Sequence, residues 1–359
     1  MNDEILDMLS KADRALGRLD GAIAMVPNPE LFVFMYVRKE AVLSSQIEGT
    51  QASLTDLLAF EAKSYERHRE DVAEISNYIN AMNYGLERLR EFPLSLRLLR
   101  EIQEKLLAGT RGCMQTPGEF RTSQNWIGPP GCTLKDAVHI PPPPAEMMDA
   151  LGKWELFLHD ETPMPILIKL GFLHAQFETI HPFLDGNGRV GRLLITFILC
   201  QREILQRPLL YLSIFFKRNR REYYDRLQAI RDTGDWEGWT LFFLRGVYEV
   251  AQEATDTARS IVKLRENDRQ RILDESGGKA ANALKTLEFL FRMPFVSVPQ
   301  IAEAIHVSFA SANTLTRTLQ SAGILVEITR QKRNRMFLYQ SYLNIFEEGT
   351  ELEVQPDQP

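Results

Sequence analysis

Apolar residues recur at helical spacing along most of the chain. The first stretch has six such positions, namely Ile5, Met8, Leu9, Ala12, Leu16 and Leu19. A second helix is predicted from about Glu30 to Ile47, with Asn28 as its cap, Pro29 in its first turn and Gly49 at its end. The same spacing predicts further helices at about 53–64, 70–91, 94–108, 145–160, 165–180, 189–206, 217–232 and 236–275.

The helical pattern stops between Gly109 and Pro144, where glycine and proline are dense. The apolar residues of this stretch are scattered, which predicts a long loop with short strands, or a hairpin. Structureless loops of this length are uncommon inside compact domains and often carry function.

Residues 281–345 have a different order of elements. A helix at 283–292 is followed by a turn region and by a helix from Phe309 to Ala322, which Gly323 ends. Strands are predicted at 324–330 and 336–339, so the order is that of a winged helix-turn-helix. This stretch has seven Lys and Arg against three Asp and Glu. The long helix at 236–275, ending at Gly277-Gly278, reads as a connector between domains.

Composition narrows the class of protein. The 359 residues predict two or three domains, and 44% hydrophobic with 25% charged residues excludes a disordered or collagen-like chain. The net charge of -6 argues against a nucleic-acid coat. Three cysteines without Cys-x-x-Cys spacing argue against disulfides or a zinc ribbon. No apolar run approaches the ~20 residues of a membrane span, and the acidic N-terminus is unlike a secretory signal. We therefore expect a cytoplasmic protein with no membrane partner.

The segment between residues 181 and 192 concentrates the chemistry. Gly186-Asn187-Gly188 opens a helix and lets backbone N–H groups point at an anion. Arg189 and Arg192 lie three residues apart and so share a helical face. Asp185 is a carboxylate suited to a hard cation, and His181 can take a proton near neutral pH. Together these groups describe phosphoryl or nucleotidyl transfer.

Two other interpretations compete for this segment. Gly186-x-Gly188-x-x-Gly191 also satisfies a bare dinucleotide fingerprint, but that requires a preceding strand, and the preceding segment has helical periodicity. His174 and His181 could bind a metal, but a spacing of seven residues matches no zinc motif.

The segment matches the signature His-Pro-Phe-x-Asp-Gly-Asn-Gly-Arg-x-x-Arg at every defined position, and in this the chain resembles the Fic (filamentation induced by cAMP) family. Residues 1–85 are similar to the N-terminal region that accompanies Fic domains. Gly118-Glu119-Phe120-Arg121 and Val138-His139-Ile140-Pro141-Pro142 resemble the family's segments before and within its target flap. Arg221-Glu222-Tyr223-Tyr224 resembles its helix along the nucleotide pocket.

This resemblance implies a protein adenylyltransferase that moves AMP from ATP to a Ser, Thr or Tyr hydroxyl of a target protein. His181 would take the hydroxyl proton, and Asp185 would hold Mg²⁺ at the α- and β-phosphates. The Gly-Asn-Gly segment would cradle the anion, while Arg189 and Arg192 would hold the leaving pyrophosphate, with Arg192 nearest the γ-phosphate.

The resemblance also assigns residues outside the signature. Tyr223 would contact the nucleoside. The flap residues Asp136, Ala137, Val138 and His139 would pair with the target backbone by strand addition.

Ser44-Ser45-Gln46-Ile47-Glu48-Gly49 matches the inhibitory motif of the family, Ser/Thr-x-x-x-Glu-Gly/Asn. The resemblance implies that Glu48 pairs with Arg192 within the same chain and so removes the group that should hold the γ-phosphate. In some relatives the same glutamate assists removal of AMP, so a de-AMPylase stays an open alternative.

The expected fold is all-α, a helical Fic core with a small β-hairpin flap, plus a C-terminal winged helix-turn-helix. The expected divisions are an N-terminal helical region with the inhibitory helix (1–90), the catalytic core (91–250), a helical linker (251–280), the winged helix (281–345) and an acidic tail (346–359). A homodimer is a further expectation from the family.

Three alternatives to AMP transfer from ATP stay open. One is transfer from another donor, and another is removal of AMP. The third is a DNA-binding regulator whose Fic domain senses a nucleotide, in which a recognition helix and a wing would contact DNA through Ser308, Ser311, Asn313, Thr314, Arg317, Thr318, Lys332, Arg333 and Arg335.

Overall fold

A computed structural model of the chain describes residues 2–24, 26, 29–62, 68–129, 131–276, 280–329 and 335–351. The described residues form two compact units. The first unit contains residues 1–20, 43–50 and 73–253, and the second contains residues 21–42, 51–72 and 254–359. Each unit is therefore assembled from separate stretches of the sequence.

The described residues are mainly helical, as the sequence predicts. The helices are α1 (Asp3–Ala24), α2 (Pro29–Ile47), α3 (Leu54–Glu61), α4 (Arg69–Arg88), α5 (Leu96–Leu107), α6 (Pro144–His159), α7 (Ile166–Ile180), α8 (Asn187–Gln201), α9 (Ser213–Arg218), α10 (Arg220–Thr233), α11 (Trp236–Ser276), α12 (Ala280–Leu290), α13 (Val298–Ala304), α14 (Phe309–Ser321) and α15 (Gln340–Glu347). The strands are β1 (Phe295–Ser297), β2 (Val326–Glu327) and β3 (Met336–Leu338). The mainly helical fold with one small sheet is thus confirmed.

The core of the first unit surrounds α7 and α8, whose apolar residues face neighbours on nearly all sides. In α8, every residue from Leu193 to Leu199 is buried, which is the pattern of a helix enclosed by protein. Gly171 of α7 permits close packing, because a Cβ there would lie 3.1 Å from the ring of Phe243. The indole of Trp239 donates a hydrogen bond to the Gly171 carbonyl at 2.9 Å. The loop between these two buried helices is therefore fixed at both ends.

The second unit contains the three-stranded antiparallel sheet in the order β1-β3-β2, in which Phe295 pairs with Leu338 and Val326 pairs with the same residue. The C-terminal half of α11 belongs to this unit. There Asp268, which is fully buried, accepts a hydrogen bond from the Tyr339 hydroxyl. The unit also packs Phe346 of α15 against Phe32 of α2.

The structure differs from the sequence expectation in several elements. The helix expected at 217–232 is two helices, α9 and α10, which meet at Asn219. The short strand β1 and helix α15 were not expected from the pattern. In the 109–144 region the expected hairpin is reduced to one antiparallel bridge between Ile127 and His139, accompanied by 3-10 turns at Arg111–Met114 and Leu134–Asp136. Asn28, Gly277, Gly278 and the last eight residues of the expected tail lie outside the described residues.

Candidate active site

The signature segment forms the connection between α7 and α8. α7 ends at Ile180 and is capped by His181, which has the left-handed conformation φ 48°, ψ 62° and donates its backbone N–H to the Phe177 carbonyl at 3.0 Å. A non-glycine residue in this region costs about 1–2 kcal/mol, so surrounding contacts must hold it there. Gly186, with φ 83°, then precedes the first helical residue of α8, Asn187. The chain therefore turns sharply between two buried helices.

The Asn187 side chain stabilises this turn. Its Oδ1 accepts the backbone N–H of Phe183 at 2.8 Å, and its Nδ2 donates to the Phe183 carbonyl at 2.8 Å. Asn187 is only 2% exposed, and the Phe183 ring is fully buried. The asparagine of the predicted anion cradle thus shapes the loop with its side chain, while its backbone N–H stays available at the start of α8.

The first turn of α8 has the properties of an anion site. The backbone N–H groups of its first residues have no intrahelical partner, and the helix dipole adds partial positive charge. Asp185 lies beside this turn, where its Oδ1 accepts the Gly186 N–H at 2.6 Å and the Arg189 Nη2 at 3.4 Å. Its side chain is 41% exposed. A half-exposed carboxylate is therefore adjacent to a helix start that is suited to an anion.

Arg189 is held between two carboxylates. Its Nη2 lies 3.4 Å from Asp185 Oδ1, and its Nη1 lies 3.9 Å from Oε2 of Glu74. Glu74 is nearly buried and also accepts hydrogen bonds from the Thr50 hydroxyl at 3.1 Å and from Arg111 Nε at 2.8 Å. Sequence reasoning missed Glu74, because nothing in the pattern of α4 distinguishes it from the surface glutamates.

Arg192 is bound by the end of α2. Its Nε donates to the Ser44 hydroxyl at 2.8 Å, and its Nη2 donates to the Ser44 carbonyl at 2.9 Å and to Glu48 Oε1 at 2.7 Å. The arginine is 4% exposed. Burial lowers the pKa of Arg192, but the Glu48 carboxylate together with the nearby hydroxyls of Tyr223 and Tyr78 outweighs that effect, and the pKa is raised. The structure therefore brings together the expected pair and adds Ser44, whose role the sequence reasoning did not assign.

The last turn of α2 contains no basic residue, and cationic side chains of other helices bond to this helix end. Lys217 of α9 donates to Gln46 Oε1 at 2.8 Å, and Arg220 of α10 donates to the Ile47 carbonyl at 3.2 Å. Positive charge near the C-terminal end of a helix is favourable. These contacts place Glu48 directly against α8, where a Cβ added at Gly188 would lie 2.2 Å from Glu48 Oε1.

Burial controls the protonation of His181. Burial lowers the pKa of the imidazole to about 4, although the Glu48 carboxylate acts in the opposite direction. The ring is therefore neutral at pH 7 and can accept a proton. His139, from the flap region, contacts the same helix end through Nε2, which lies 3.0 Å from the Thr179 carbonyl.

The structure places Tyr223 in the core. The residue is 2% exposed, and its hydroxyl lies 2.9 Å from Nε2 of His174, whose Nδ1 lies 2.9 Å from the Gly191 carbonyl. Because a carbonyl only accepts, Nδ1 carries the proton and Nε2 accepts from the tyrosine. Burial lowers the pKa of His174 to about 4, so this histidine is structural. The adjacent Tyr224 is 43% exposed, so it offers an accessible ring at this position of α10.

The predicted flap residues follow one another along an exposed turn. Asp136 ends a 3-10 turn and accepts the Thr133 hydroxyl at 2.8 Å, and Ala137 is half-buried. Val138 is 60% exposed. The His139 N–H and carbonyl both bond to Ile127, at 3.1 Å and 2.9 Å. One side of the flap backbone is thus tied to the protein at His139, while the Val138 side chain faces solvent.

Glu178 is a buried acid that sequence reasoning missed. It lies on α7 one turn before His181, and a Cβ added at Gly191 would lie 2.3 Å from its Oε1. Burial raises the pKa of Glu178 to about 7, with Arg192 acting against that rise and Glu48 adding to it. The apolar pattern of α7 gave no signal for this residue, because a single glutamate in a buried helix looks like a surface position.

Among the described residues, no group of three or more His, Cys, Asp or Glu side chains is arranged to hold a metal ion. Magnesium bound to phosphates usually takes only one or two protein carboxylates, with the remaining ligands from phosphate and water. Asp185, half-exposed beside the first turn of α8, fits that mode. The segment before the glycine motif is the helix α7, so the dinucleotide fingerprint lacks the strand it requires.

The recognition-helix candidates lie on α14 of the second unit. Ser308, Ser311, Thr314 and Arg317 are exposed, while Thr318 and Asn313 are half-buried. Arg335 donates to Asn313 Oδ1 and lies 3.7 Å from Glu327 Oε2. Two of the candidate DNA contacts are therefore bonded to each other, whereas Lys332 and Arg333 lie outside the described residues.

The two helices joined at His181, with the two arginines of α8, belong to a domain that comparison with family models identifies. Residues 6–87 match the model "Fic/DOC family N-terminal", and residues 93–199 match the model "Fic/DOC family". Together the two matches cover more than half of the chain. The chain belongs to the Fic/DOC family.

Relatives of known name share this domain. A protein adenylyltransferase Fic from Culex quinquefasciatus is 30% identical over 51% of this chain and 33% of its own length. A probable protein adenylyltransferase from Aquifex aeolicus is 28% identical over 56% of this chain and 58% of its own length. The chain thus spans less than two thirds of both relatives.

A solved structure shares the fold over nearly the whole chain. A Fic family protein from Desulfovibrio desulfuricans superposes with a TM-score of 0.62 at 18% identity, over 94% of this chain and 96% of the other. Within the described residues, no helix has the length and apolarity needed to cross a membrane.

Proposed function

We propose that the protein is an adenylyltransferase that moves AMP from ATP to a Ser, Thr or Tyr hydroxyl of a target protein, and that its resting state is inhibited by Glu48. The observation that carries the proposal is the binding of Arg192 by Ser44 and Glu48, beside the first turn of α8. The names of the relatives support the same activity.

In the proposed reaction, the target hydroxyl attacks the α-phosphorus of ATP and its proton passes to His181. A new bond forms between that oxygen and the phosphorus, and the bond to the pyrophosphate breaks. His181 is neutral at pH 7, as a base must be. The first turn of α8 would stabilise phosphate charge, and Arg189 and Arg192 would hold the leaving pyrophosphate. General base catalysis contributes about 10²–10⁴-fold.

Asp185 would hold Mg²⁺, which neutralises phosphate charge when it is bound. Val138 and the neighbouring flap residues Asp136, Ala137 and His139 would align the target backbone. Tyr223, the residue expected to contact the nucleoside, is buried in α10 and would support that part of the pocket. The neighbouring Tyr224 is exposed and would contact the nucleoside directly.

The inhibition follows from charge. A guanidinium bonded to Glu48 and Ser44 is not available for the γ-phosphate, so ATP would bind in a pose that does not react. Gly188 adds a steric component, since Glu48 fills the space beside it. Removing Glu48 would free both the arginine and that space.

The test is transfer of label from α-³²P-ATP with Mg²⁺, using purified wild type, Glu48→Gly and Glu48→Gly/His181→Ala. We expect weak labelling by the wild type and strong labelling by Glu48→Gly. Loss of the base should reduce labelling at least about 10²-fold, with ATP binding retained. Equal labelling by wild type and Glu48→Gly would contradict the inhibition.

Complete absence of transfer from ATP, with binding intact, would favour another nucleotide donor or AMP removal. The domain divisions, a winged helix at 281–345, a homodimer and DNA binding stay predictions. The Arg335–Asn313 bond favours a structural role for those two residues over DNA contact.

A further inference from the structure

The side chain of Arg121 lies buried against the end of α7. The residue is 2% exposed, and burial lowers the pKa of its guanidinium with no carboxylate of the described residues acting against it. Its Nε donates to the His181 carbonyl at 3.0 Å, and its Nη2 donates to the carbonyls of Ile180, at 3.4 Å, and Pro142. Its Nη1 donates to the Ser123 carbonyl at 3.1 Å. Every nitrogen of this guanidinium therefore bonds a backbone carbonyl.

A buried guanidinium without a carboxylate is costly unless other groups supply negative charge. The last carbonyls of a helix supply it, because they lack intrahelical partners and lie at the negative end of the dipole. The last turn of α7 contains no basic residue of its own. Arg121 bonds the final carbonyls of this helix end, while Arg231 donates to the Glu178 carbonyl at 3.4 Å, one turn earlier. The backbone N–H of Arg121 also bonds the Pro182 carbonyl at 2.9 Å.

Asn125 completes the arrangement four residues further along. Its Nδ2 donates to the carbonyls of His181, at 3.2 Å, and Phe183, at 3.1 Å. The carbonyls of residues 180, 181, 182 and 183 are therefore all bonded by the segment 121–125. These are the residues that form the left-handed turn after α7.

We propose that Arg121 is a positioning residue for His181, with Asn125 as its support. The guanidinium holds the backbone of His181 in its left-handed conformation and so fixes the direction of the ring, without touching any reacting atom. The inference rests on the proposed function, in which His181 is the base. A displacement of about 1 Å in a reacting group can cost about 10² in rate. Lysine cannot replace this arginine, because one ammonium group does not present the planar fork of donors.

The kinetic test uses the Glu48→Gly background, where transfer is measurable. We expect Arg121→Lys to lower kcat about 10²-fold, with the KM for ATP within about twofold, because the nucleotide contacts stay in place. Asn125→Ala should lower kcat about tenfold and is the milder variant if Arg121→Lys fails to fold. The matched control is Arg202→Lys, which alters an arginine that donates to the Leu158 carbonyl at 3.1 Å, away from His181.

A second readout reports on the imidazole itself. The chain has six histidines, so their ¹⁵N ring resonances can be compared directly, and His181→Ala assigns the resonance of His181. In Arg121→Lys or Asn125→Ala, we expect this resonance to move and its titration to shift upward from about 4 as the ring loses its burial. The Arg202→Lys spectrum should match that of the parent.

The proposal is overturned if Arg121→Lys and Asn125→Ala keep the kcat of the control, or if the His181 resonance and its titration do not change. A fall in kcat/KM that comes entirely from a higher KM for ATP, with kcat unchanged, would also overturn it. If Glu48→Gly transfers nothing, the proposed function fails, and the ring resonances alone then decide whether Arg121 positions His181.

Discussion

The end of α2 and the segment 121–125 both contact the signature segment 181–192, and they bind different parts of it. The end of α2 binds a side chain, because Ser44 and Glu48 accept three hydrogen bonds from the Arg192 guanidinium. The segment 121–125 binds main chain, because Arg121 and Asn125 donate to the carbonyls around His181. The first contact supplies acceptors to a cation, and the second supplies donors to a helix end.

Under the proposed inhibition, the two contacts differ in whether they can be released without distorting the backbone. A guanidinium can change partners by rotating its side chain, while the backbone beneath it stays in place. The carbonyls of a left-handed turn have no such freedom, since losing their donors changes the turn. We therefore expect disruption of the α2 contact to raise activity and disruption of the 121–125 contact to lower it.

The largest effect should come from removing the Arg192 side chain, which Ser44 and Glu48 at the end of α2 bind. In the Glu48→Gly background, Arg192→Ala should lower AMP transfer about 10²–10³-fold, because a preorganised charge at the developing pyrophosphate is lost. The measurement is the initial rate of label transfer at saturating ATP. Arg202→Ala, which removes an arginine that donates to the Leu158 carbonyl, is the control.

If the double variant transfers as fast as Glu48→Gly alone, then Arg192 serves only to hold Glu48. The contact between α2 and Arg192 would in that case be structural only, and the two segments would no longer differ in their effect on AMP transfer.

A smaller effect is expected for Glu178, the buried acid of α7 that lies beside Gly191 of α8. Its folded-state pKa of about 7 exceeds the ordinary value of 4.5, so the unfolded chain ionises first as the pH rises. The wild type therefore loses stability from Glu178 between about pH 4.5 and 7. Glu178→Gln should be equal in stability to the wild type near pH 4.5 and more stable above pH 7, by about 1–3 kcal/mol.

Urea unfolding at pH 5 and pH 8 measures this difference. Glu146→Gln, which changes an exposed glutamate of α6, is the control and should change little at either pH. A Glu178→Gln variant that is less stable than the wild type at pH 8 would show that the ionised carboxylate stabilises Arg192.

The smallest effect is expected for Ser44→Ala, which separates the contribution of Ser44 from that of Glu48 in binding Arg192. Ser44→Ala removes the acceptor of Arg192 Nε but leaves Glu48, so transfer should rise about five- to tenfold, equivalent to about 1–1.4 kcal/mol. Ser45→Ala is a close control, because the buried Ser45 hydroxyl has no hydrogen-bond partner among the described residues. Equal rates for the two alanine variants would assign the inhibition to Glu48 alone.

The sequence predicted the parts of the site that lie within one continuous segment. His181, Asp185 and the arginines could be found because turn chemistry, a helix start and a family signature coincide within a dozen residues. The helical fold followed from apolar spacing in the same way. Helix division at Asn219 was missed, because the spacing of apolar residues continues through the break between α9 and α10.

The roles of the residues that support the site could not be found from the sequence. Glu74 and Glu178 acquire their partners through tertiary contacts, and an isolated charged residue has no pattern that distinguishes it from a surface position. Arg121 stood out only as part of a segment that resembles the family's, and its bonds to the carbonyls around His181 are tertiary contacts that the resemblance did not assign. Tyr223 shows the opposite case. The resemblance assigned it to the nucleoside, while the fold buries it beside His174, and only the packing of α10 against α7 determines which side of the helix is exposed.

Gly188 of the signature has two roles, one beside Glu48 and one at the first turn of α8. Its missing side chain leaves the space that Glu48 Oε1 fills, and a methyl group there would overlap that oxygen at 2.2 Å. The same glycine opens the turn of α8 that we assign to phosphate. A side chain at residue 188 would thus disturb both the Glu48 contact of the resting state and the phosphate contact of the reacting state. The absence of a side chain serves both states. Mutational tolerance at Gly188 would then measure how strongly inhibition, in addition to catalysis, limits which residues this loop can accept.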